Sequence, residues 1–387
     1  MKIAFFTNCY LPYLSGVTLS IKTLRDELNL LGHETFVIGP RYPNHQETDP
    51  KIFRLLSLSA PYPGYRLVFP YSYSVFNRLK EEKIDLIHAH QPFGVGLAAL
   101  GLARSMKIPL VYTLHTLFPR YVHHLPLIPD WLSKRAVSAY LSFFCGQTDT
   151  VIVPSEMVRR WLALGKIRAP ITVLPTAIKV DLIKQKKALK NQRDEIRRKY
   201  AVPNEAKLLI YAGRISEEKN IPFLLKAFPA IRKEAPNTYL MLVGGGPKES
   251  DYQALAKTID PQIFFVGQKE HGEVIDHYLA ADLFVYASVT ETQGLVLCEA
   301  KACGLPVVAV FGGGIADVVE SGVDGYLVPQ NQTVFVDHVL RLLKNDPLRK
   351  EMSRKAEEDL ALRFSAPAVA KRVEALYTSL IAKRRKM

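Results

Sequence analysis

The sequence predicts an α/β protein built of two doubly wound, parallel-sheet domains. Three observations predict this. Short strand-forming runs alternate with helical runs from end to end, the pattern of parallel sheets with helices on both faces. The alternation breaks once, at Lys179–Lys199, where nine Lys/Arg stand against three Asp/Glu, and then restarts. And 387 residues exceed one ordinary domain.

Taken in order, the first domain covers residues 1–178. Lys2–Phe6 reads as its first strand, followed by a Pro/Gly loop and a helix over about Val17–Leu31. Thr35–Ile38, Ile84–His88, Pro109–Thr113, Thr150–Val153 and Ile171–Leu174 read as further strands. The basic stretch reads as a linker with an exposed charged helix. A second domain, 179–365, repeats the pattern with strands at Lys207–Ala212, Tyr239–Val243, Gln262–Val266, Asp282–Tyr286, Pro306–Val310 and Gly325–Val328. A last helix, within 366–387, carries Val369, Val373, Leu376 and Leu380 on one face and is expected to return to the first domain.

Composition narrows the function classes. Hydrophobic residues make up 48% of the chain, enough for two cores, yet no apolar run reaches the ~18 residues of a spanning helix. The N-terminus reads as a strand and its loop rather than a signal peptide. A cytoplasmic protein is expected, with any membrane contact peripheral to the cytoplasmic face. Cys9, Cys145, Cys298 and Cys303 lack the paired spacing of a zinc site, so no metal is expected. The net charge of +14 implies an anionic partner, whether nucleic acid, lipid headgroups or a phosphate-rich substrate. No zinc pattern or RNP-like aromatic motif is present, which argues against nucleic acid.

Doubly wound sheets bind ligands outside the carboxyl ends of their strands, so the loops there are the places to search. After the first strand, Gly16 opens a helix where a backbone can approach a phosphate; a plain helix start is the other reading. No G-x-G-x-x-G follows it. His115 lies just past Pro109–Thr113, as a substrate contact or a structural histidine. In the second domain Gly213-Arg214 follows a strand and Lys219 stands at a helix start. Two cations there suit a diphosphate, and surface charge is the bland alternative. Gly244–Pro247 and Gly267–Glu270 are turns against which a flat base could lie. Ala287–Pro306 holds two carboxylates, Glu291 on a loop and Glu299 on a helix over Gln293–Ala302. That helix would begin near Gly294–Val296, offering backbone N–H groups. An amphipathic helix with two solvated glutamates reads the same stretch.

Together these residues resemble a retaining family 4 glycosyltransferase of GT-B fold, in which two Rossmann-like domains face each other across a cleft. The carriers are GRISEEKN at Gly213–Asn220, VGGGP at Val243–Pro247, ETQGLVLCEA at Glu291–Ala300, GLPVVA at Gly304–Ala309 and GVDGYLVP at Gly322–Pro329. The first half is similar to diacylglycerol glucosyltransferases and related lipid glycosyltransferases, through YLPYLSGV at Tyr10–Val17, PYPGYRLVFP at Pro61–Pro70, HAHQPFGVG at His88–Gly96 and TLHTLFPRYVHHLP at Thr113–Pro126.

The resemblance implies a nucleotide-sugar donor, UDP-glucose, used as a substrate with no further cofactor. Arg214 and Lys219 would bind the diphosphate, with Gly213 beside them. Glu299 would bind the ribose, and Gly267, Gln268 and Lys269 would flank the base. Glu291 would hold the sugar hydroxyls. Gln293, Gly294, Leu295 and Val296 would hold sugar and phosphate, with Gly16 and His115 reaching from the first domain. His115, Arg214, Lys219 and Glu291 form the implied catalytic set. Lys179 stands where the family often has an acid.

No Asp-x-Asp triplet occurs, in keeping with a metal-independent reaction. Sugar transfer passes through an oxocarbenium-like state, so cations at the leaving diphosphate and accurate positioning are what the protein must supply. The implied acceptor is a membrane lipid such as 1,2-diacylglycerol; phosphatidylinositol or a soluble sugar or thiol is the alternative, and a non-catalytic sugar-nucleotide binder the alternative of another class. Trp131–Phe144 has an apolar stripe beside Lys134 and Arg135 that suits an anionic membrane surface or the packing of a helix on the sheet. Tyr65, Arg66, Phe118, Tyr121, Trp131, Lys134, Arg135, Tyr140 and Phe144 are the residues expected to meet lipid.

Overall fold

The structure is a computed structural model that describes residues 1–13, 15–59, 66–115, 130–165, 167, 169–189 and 191–386. It divides into two compact units, Met1–Ala177 with Ala366–Met387, and Ile178–Ser365.

The first unit runs β1 (Lys2–Phe6), α1 (Gly16–Leu30), β2 (Glu34–Pro40), β3 (Ile52–Leu55), β4 (Ser57–Ser59), β5 (Arg66–Val68), α2 (Tyr73–Glu81), β6 (Leu86–Ala89), α3 (Val95–Met106), β7 (Leu110–Thr113), α4 (Asp130–Gly146), β8 (Thr150–Val153), α5 (Glu156–Leu164) and β9 (Ile171–Val173). Seven parallel strands form one sheet in the order β3-β2-β1-β6-β7-β8-β9, and β4 and β5 make a separate antiparallel pair. The period-2 alternation of each strand feeds two cores. Ala4, Phe6, Phe36, Ile87 and Tyr112 face α3, α4 and α5. Ile3, Phe5, Val37, Leu86 and Val111 face α1 and the C-terminal helix. Serine caps start several helices: Ser15, Ser72 and Ser155 each accept from the backbone N–H three residues on.

The second unit runs α6 (Asp181–Ala188), α7 (Gln192–Lys199), β10 (Lys207–Ala212), α8 (Ile221–Glu234), β11 (Thr238–Val243), α9 (Glu249–Ile259), β12 (Ile263–Gly267), α10 (His271–Ala280), β13 (Leu283–Tyr286), α11 (Leu295–Ala302), β14 (Val307–Val310), β15 (Gly325–Val328), α12 (Gln332–Leu343) and α13 (Asp346–Arg363). Its six strands are ordered β12-β11-β10-β13-β14-β15, all parallel. The chain then forms α14 (Ala366–Arg385), whose Val369, Val373 and Tyr377 are buried in the first unit.

Two features differ from the sequence expectation. The strand β3 and the β4–β5 pair were not foreseen, because these elements are three or four residues long, β3 at the edge of the large sheet and β4–β5 apart from it. The basic stretch is not a solvated helix throughout. Arg197 is fully buried, bound to Asp282 at 2.7 Å and to the carbonyls of Pro203, Ala206 and Ala280. A buried guanidinium is tolerable only with such pairing.

Candidate functional site

In each sheet the strand order reverses once, between β1 and β6 and between β10 and β13. The crevice outside the carboxyl ends at that point is where open α/β sheets bind ligands. In the second unit the loops leaving β10 and β13 meet there. Lys219, after β10, binds Glu291, after β13, through Nζ and Oε1. The Tyr286 hydroxyl, at the last residue of β13, donates to the same Oε1 at 2.6 Å. Glu291 is further fixed through its backbone, since the Gly314 N–H donates to its carbonyl at 2.7 Å.

A cleft of about 500 Å³ opens beside this cluster. Arg214, Gly244–Pro247, Gln268, Lys269, His271, Val296 and Glu299 line it. The β10 and β11 exits are drawn together by backbone bonds from Gly213 N–H to Val243 O and from Ile215 N–H to Gly245 O. Gly244 is required for this: a Cβ there would sit 1.9 Å from the Gly213 carbonyl oxygen. Gly294, at φ 88°, caps α11, so the helix's first N–H groups fall between Glu291 and Glu299 in the sequence.

Glu299 takes two contacts. His271 Nε2 lies 3.0 Å from its Oε1, and the Tyr278 hydroxyl donates to Oε2 at 3.4 Å. The hydrogen bond to Glu299 raises the His271 pKa above the usual 6.5. Tyr211, at the end of β10, donates to the Arg214 carbonyl at 2.9 Å, and its ring stacks on that of Tyr286 with centroids 5.7 Å apart. Burial holds the hydroxyls of Tyr211, Tyr278 and Tyr286 well above their usual pKa, so they stay protonated donors.

The structure thus gathers Gly213, Arg214, Gln268, Lys269, Val296 and Glu299 around the cleft and pairs Lys219 with Glu291 on the loops leaving β10 and β13, while Gly267 ends β12 and Gly294 caps α11. Leu295 is half-buried at the helix start. Gln293 is 2% exposed, and its side-chain amide donates to the Cys298 sulfur at 3.7 Å. His271, Tyr211, Tyr278 and Tyr286 were missed. A detectable signal existed for two of them: a tyrosine near the carboxyl end of an otherwise aliphatic strand sends its hydroxyl toward the ligand edge.

In the first unit His115 follows β7 and is half-buried. Its Nε2 lies 2.9 Å from His90 Nδ1. His88 and His90 share a face, with ring centroids 4.1 Å apart. His88 bonds Thr113 Oγ1 at 2.6 Å and the Tyr377 hydroxyl, from α14, at 2.5 Å. Burial pushes the His88 pKa down to about 3 and that of His115 to about 4, and holds His90 well below 6.5. All three are neutral at physiological pH. Gly16 is exposed at the start of α1, with nothing within 4 Å of a Cβ placed on it.

The residues expected to meet lipid divide. Tyr65, Phe118 and Tyr121 lie outside the described residues. Trp131, Lys134 and Arg135 are exposed on α4. Phe144 is fully buried and Leu141 is 1% exposed, so the stripe read from the sequence is the face that packs on the sheet. Tyr140 is half-buried, stacked on Phe93 with its hydroxyl on the Pro92 carbonyl. Arg66 ties the β4–β5 pair together through Ser57. Among the described residues no His/Cys/Asp/Glu group is placed to hold a metal, and no helix is long and apolar enough to cross a membrane.

Residues 14–182 match the family described as Glycosyltransferase Family 4, and residues 192–359 match Glycosyl transferases group 1. The chain is 30% identical over its whole length to the alpha-monoglucosyldiacylglycerol synthase of Acholeplasma laidlawii, covering 99% of that protein. The chain belongs to the family 4 glycosyltransferases. The alpha-monoglucosyldiacylglycerol synthase of Streptococcus pneumoniae is 34% identical over 80% of this chain and 71% of its own. Among solved structures, HepE of Anabaena in complex with UDP and glucose has a TM-score of 0.73 at 19% identity, covering 98% of this glycosyltransferase and all of that chain. The fold of both units is therefore that of GT-B enzymes, and the crevice of the second unit belongs to a transferase of sugars.

Proposed function

We propose that this glycosyltransferase moves glucose from UDP-glucose to the free hydroxyl of 1,2-diacylglycerol with retention of configuration. The donor side is supported by the cleft that Arg214, Lys269 and Glu299 line and by the Lys219–Glu291 pair on the loops leaving β10 and β13. The acceptor side rests on the full-length similarity to monoglucosyldiacylglycerol synthases.

In this reading Arg214 and Lys219 neutralise the diphosphate, Glu299 takes the ribose hydroxyls, and Glu291 orients the sugar. The acceptor oxygen attacks the anomeric carbon on the face from which UDP departs. The bond from that carbon to the β-phosphate oxygen breaks, and the same phosphate takes the acceptor's proton. Charge grows on the leaving phosphate, which is where preorganised cations act most strongly. Neutral His115 contributes a hydrogen bond without adding charge. Exposed Trp131, Lys134 and Arg135 seat α4 on an anionic membrane surface.

The test is UDP release from a panel of nucleotide sugars, with diacylglycerol, phosphatidylinositol and soluble sugars as acceptors. UDP-glucose with diacylglycerol is expected to give the highest rate. A higher rate with a soluble acceptor overturns the lipid assignment. Near-full activity in both Glu291→Gln and Arg214→Ala overturns the site.

A further inference from the structure

A groove of about 460 Å³ lies on the first unit between α2 and α3, and none of the residues assigned above lines it. Pro70, Tyr71, Tyr73, Phe76, Leu97 and Leu102 line it, with Gly101 in its wall. Its surface is apolar and open: Tyr71 and Tyr73 are each 70% exposed and Leu97 is 44% exposed. Exposed apolar side chains gathered along one groove make it a candidate binding surface. We propose that this groove takes one acyl chain of the lipid acceptor, an inference that rests on the lipid-acceptor reading above.

Orientation favours this occupant. The helix α2 feeds β6 and α3 leaves it, so both helices start at the carboxyl edge of the sheet. Tyr73 and Leu97 lie in their first turns, and Ser105 lines the groove near the end of α3. The groove therefore begins at the edge where His90 and His115 sit and runs away from it. A chain attached to a hydroxyl held at that edge follows the helices downward. Phe69, next to Pro70 in the chain, is also exposed, as are Leu58 and Leu67 of the β4–β5 pair.

Size and chemistry agree. Taking about 30 Å³ for a group the size of water, which is close to that of a methylene, the volume holds roughly fifteen such groups. No carboxylate lines the groove, and its single cation is Lys80, toward the end of α2. A basic peptide has no carboxylate to pair with there, and an acidic one only Lys80, whereas a hydrocarbon chain needs no charged partner. Gly101 adds an independent point. On the same helix, Gly96 is demanded by packing, since a Cβ would meet the Gln91 carbonyl oxygen at 2.2 Å. Gly101 is not: a Cβ there meets nothing within 4 Å. A glycine inside a helix is unfavourable, and its effect here is to keep the groove wide.

This makes a filling variant the natural test. Gly101→Phe and Gly101→Leu place a side chain in open space, in a helix that gains propensity from the change. Transfer from UDP-glucose is measured to dioctanoylglycerol and dioleoylglycerol in mixed micelles. The expected result is a dioleoylglycerol KM raised roughly tenfold or more, since two or three methylene contacts are displaced. The KM for UDP-glucose stays within about twofold and sedimentation with anionic vesicles is unchanged. Leu97→Ser, at an exposed site, gives a second variant with the same expected direction. Folded Gly101→Phe with a wild-type KM for dioleoylglycerol overturns the proposal. So does a KM increase matched by an equal loss of vesicle sedimentation, which would make the groove a docking surface for the bilayer. If wild-type protein transfers glucose to neither diacylglycerol, the lipid-acceptor reading itself fails and takes the groove with it.

Discussion

The buried histidines of the first unit predict a specific acid sensitivity. The perturbation is a shift from pH 6.5 to pH 5. His88 has its pKa lowered to about 3 and His115 to about 4, both by burial. An unfolded histidine titrates near 6.5. A group whose folded pKa is depressed leaves the unfolded state binding more protons below 6.5, so stability falls as pH falls. Between 6.5 and about 4 both groups carry a proton only in the unfolded chain. Each then costs about 1.4 kcal/mol per pH unit. Over 1.5 pH units the two together remove about 4 kcal/mol, and His90 acts in the same direction. That is a large share of an ordinary domain's stability. The assay follows from the sequence. Both tryptophans, Trp131 and Trp161, belong to the first unit, so urea unfolding read by their fluorescence reports that unit alone. His88→Gln is expected to lower stability at pH 7.5, because Tyr377 and Thr113 lose a partner, and to reduce the loss between pH 6.5 and 5 by about 2 kcal/mol. A flat stability between pH 6.5 and 5 refutes the reasoning, because it would mean that the histidines titrate normally in the folded state.

The remaining predictions concern the donor crevice and the membrane face. Arg214→Ala and Lys219→Ala should each lower kcat by about 10²-fold, as measured by UDP release, because each removes a cation from the leaving diphosphate. Tyr286→Phe should lower kcat by about tenfold with little change in fluorescence-detected unfolding, since it removes one hydrogen bond to Glu291 and leaves the ring in place. UDP affinity, measured by calorimetry, should rise as pH rises through the elevated pKa of His271, because the imidazolium that holds Glu299 is then lost; His271→Ala should flatten that dependence. Binding to anionic vesicles should weaken at high salt and in the Lys134→Glu/Arg135→Glu variant, and equal binding to neutral lipid would count against the membrane face.

Much of the fold was legible because buried parallel strands are nearly continuous apolar runs. KIAFF, KLLIYA and TYLMLV need no context to be read as strands. What was not legible depended on context. Arg197 sits in a run of surface cations, and only the return of Asp282 from 85 residues away makes it a core residue. The helix α4 carries apolar residues on more than one side. Periodicity found the Leu141–Phe144 stripe but could not say whether it met the sheet or the membrane. Packing decided it, leaving Trp131, Leu132 and Phe143 outside. The loops around the cleft of the second unit were legible for a different reason. The cleft's parts are spread over several loops, yet each loop follows a strand, and strand ends are predictable even when side chains are not.

The least legible part of the site is the layer beneath it. Tyr211 and Tyr286 spend their rings on the core and their hydroxyls on the crevice, so composition counts them as apolar while the site uses them as donors. Their placement also fixes Glu291. Lys219 and Tyr286 both donate to one carboxylate oxygen, and the Gly314 N–H holds the backbone of the same residue. A carboxylate fixed in this way is oriented before any ligand arrives. The apolar sheet therefore does more than hold the loops: by ending two of its strands in or beside tyrosine, it supplies hydroxyl donors to the loops at its carboxyl edge.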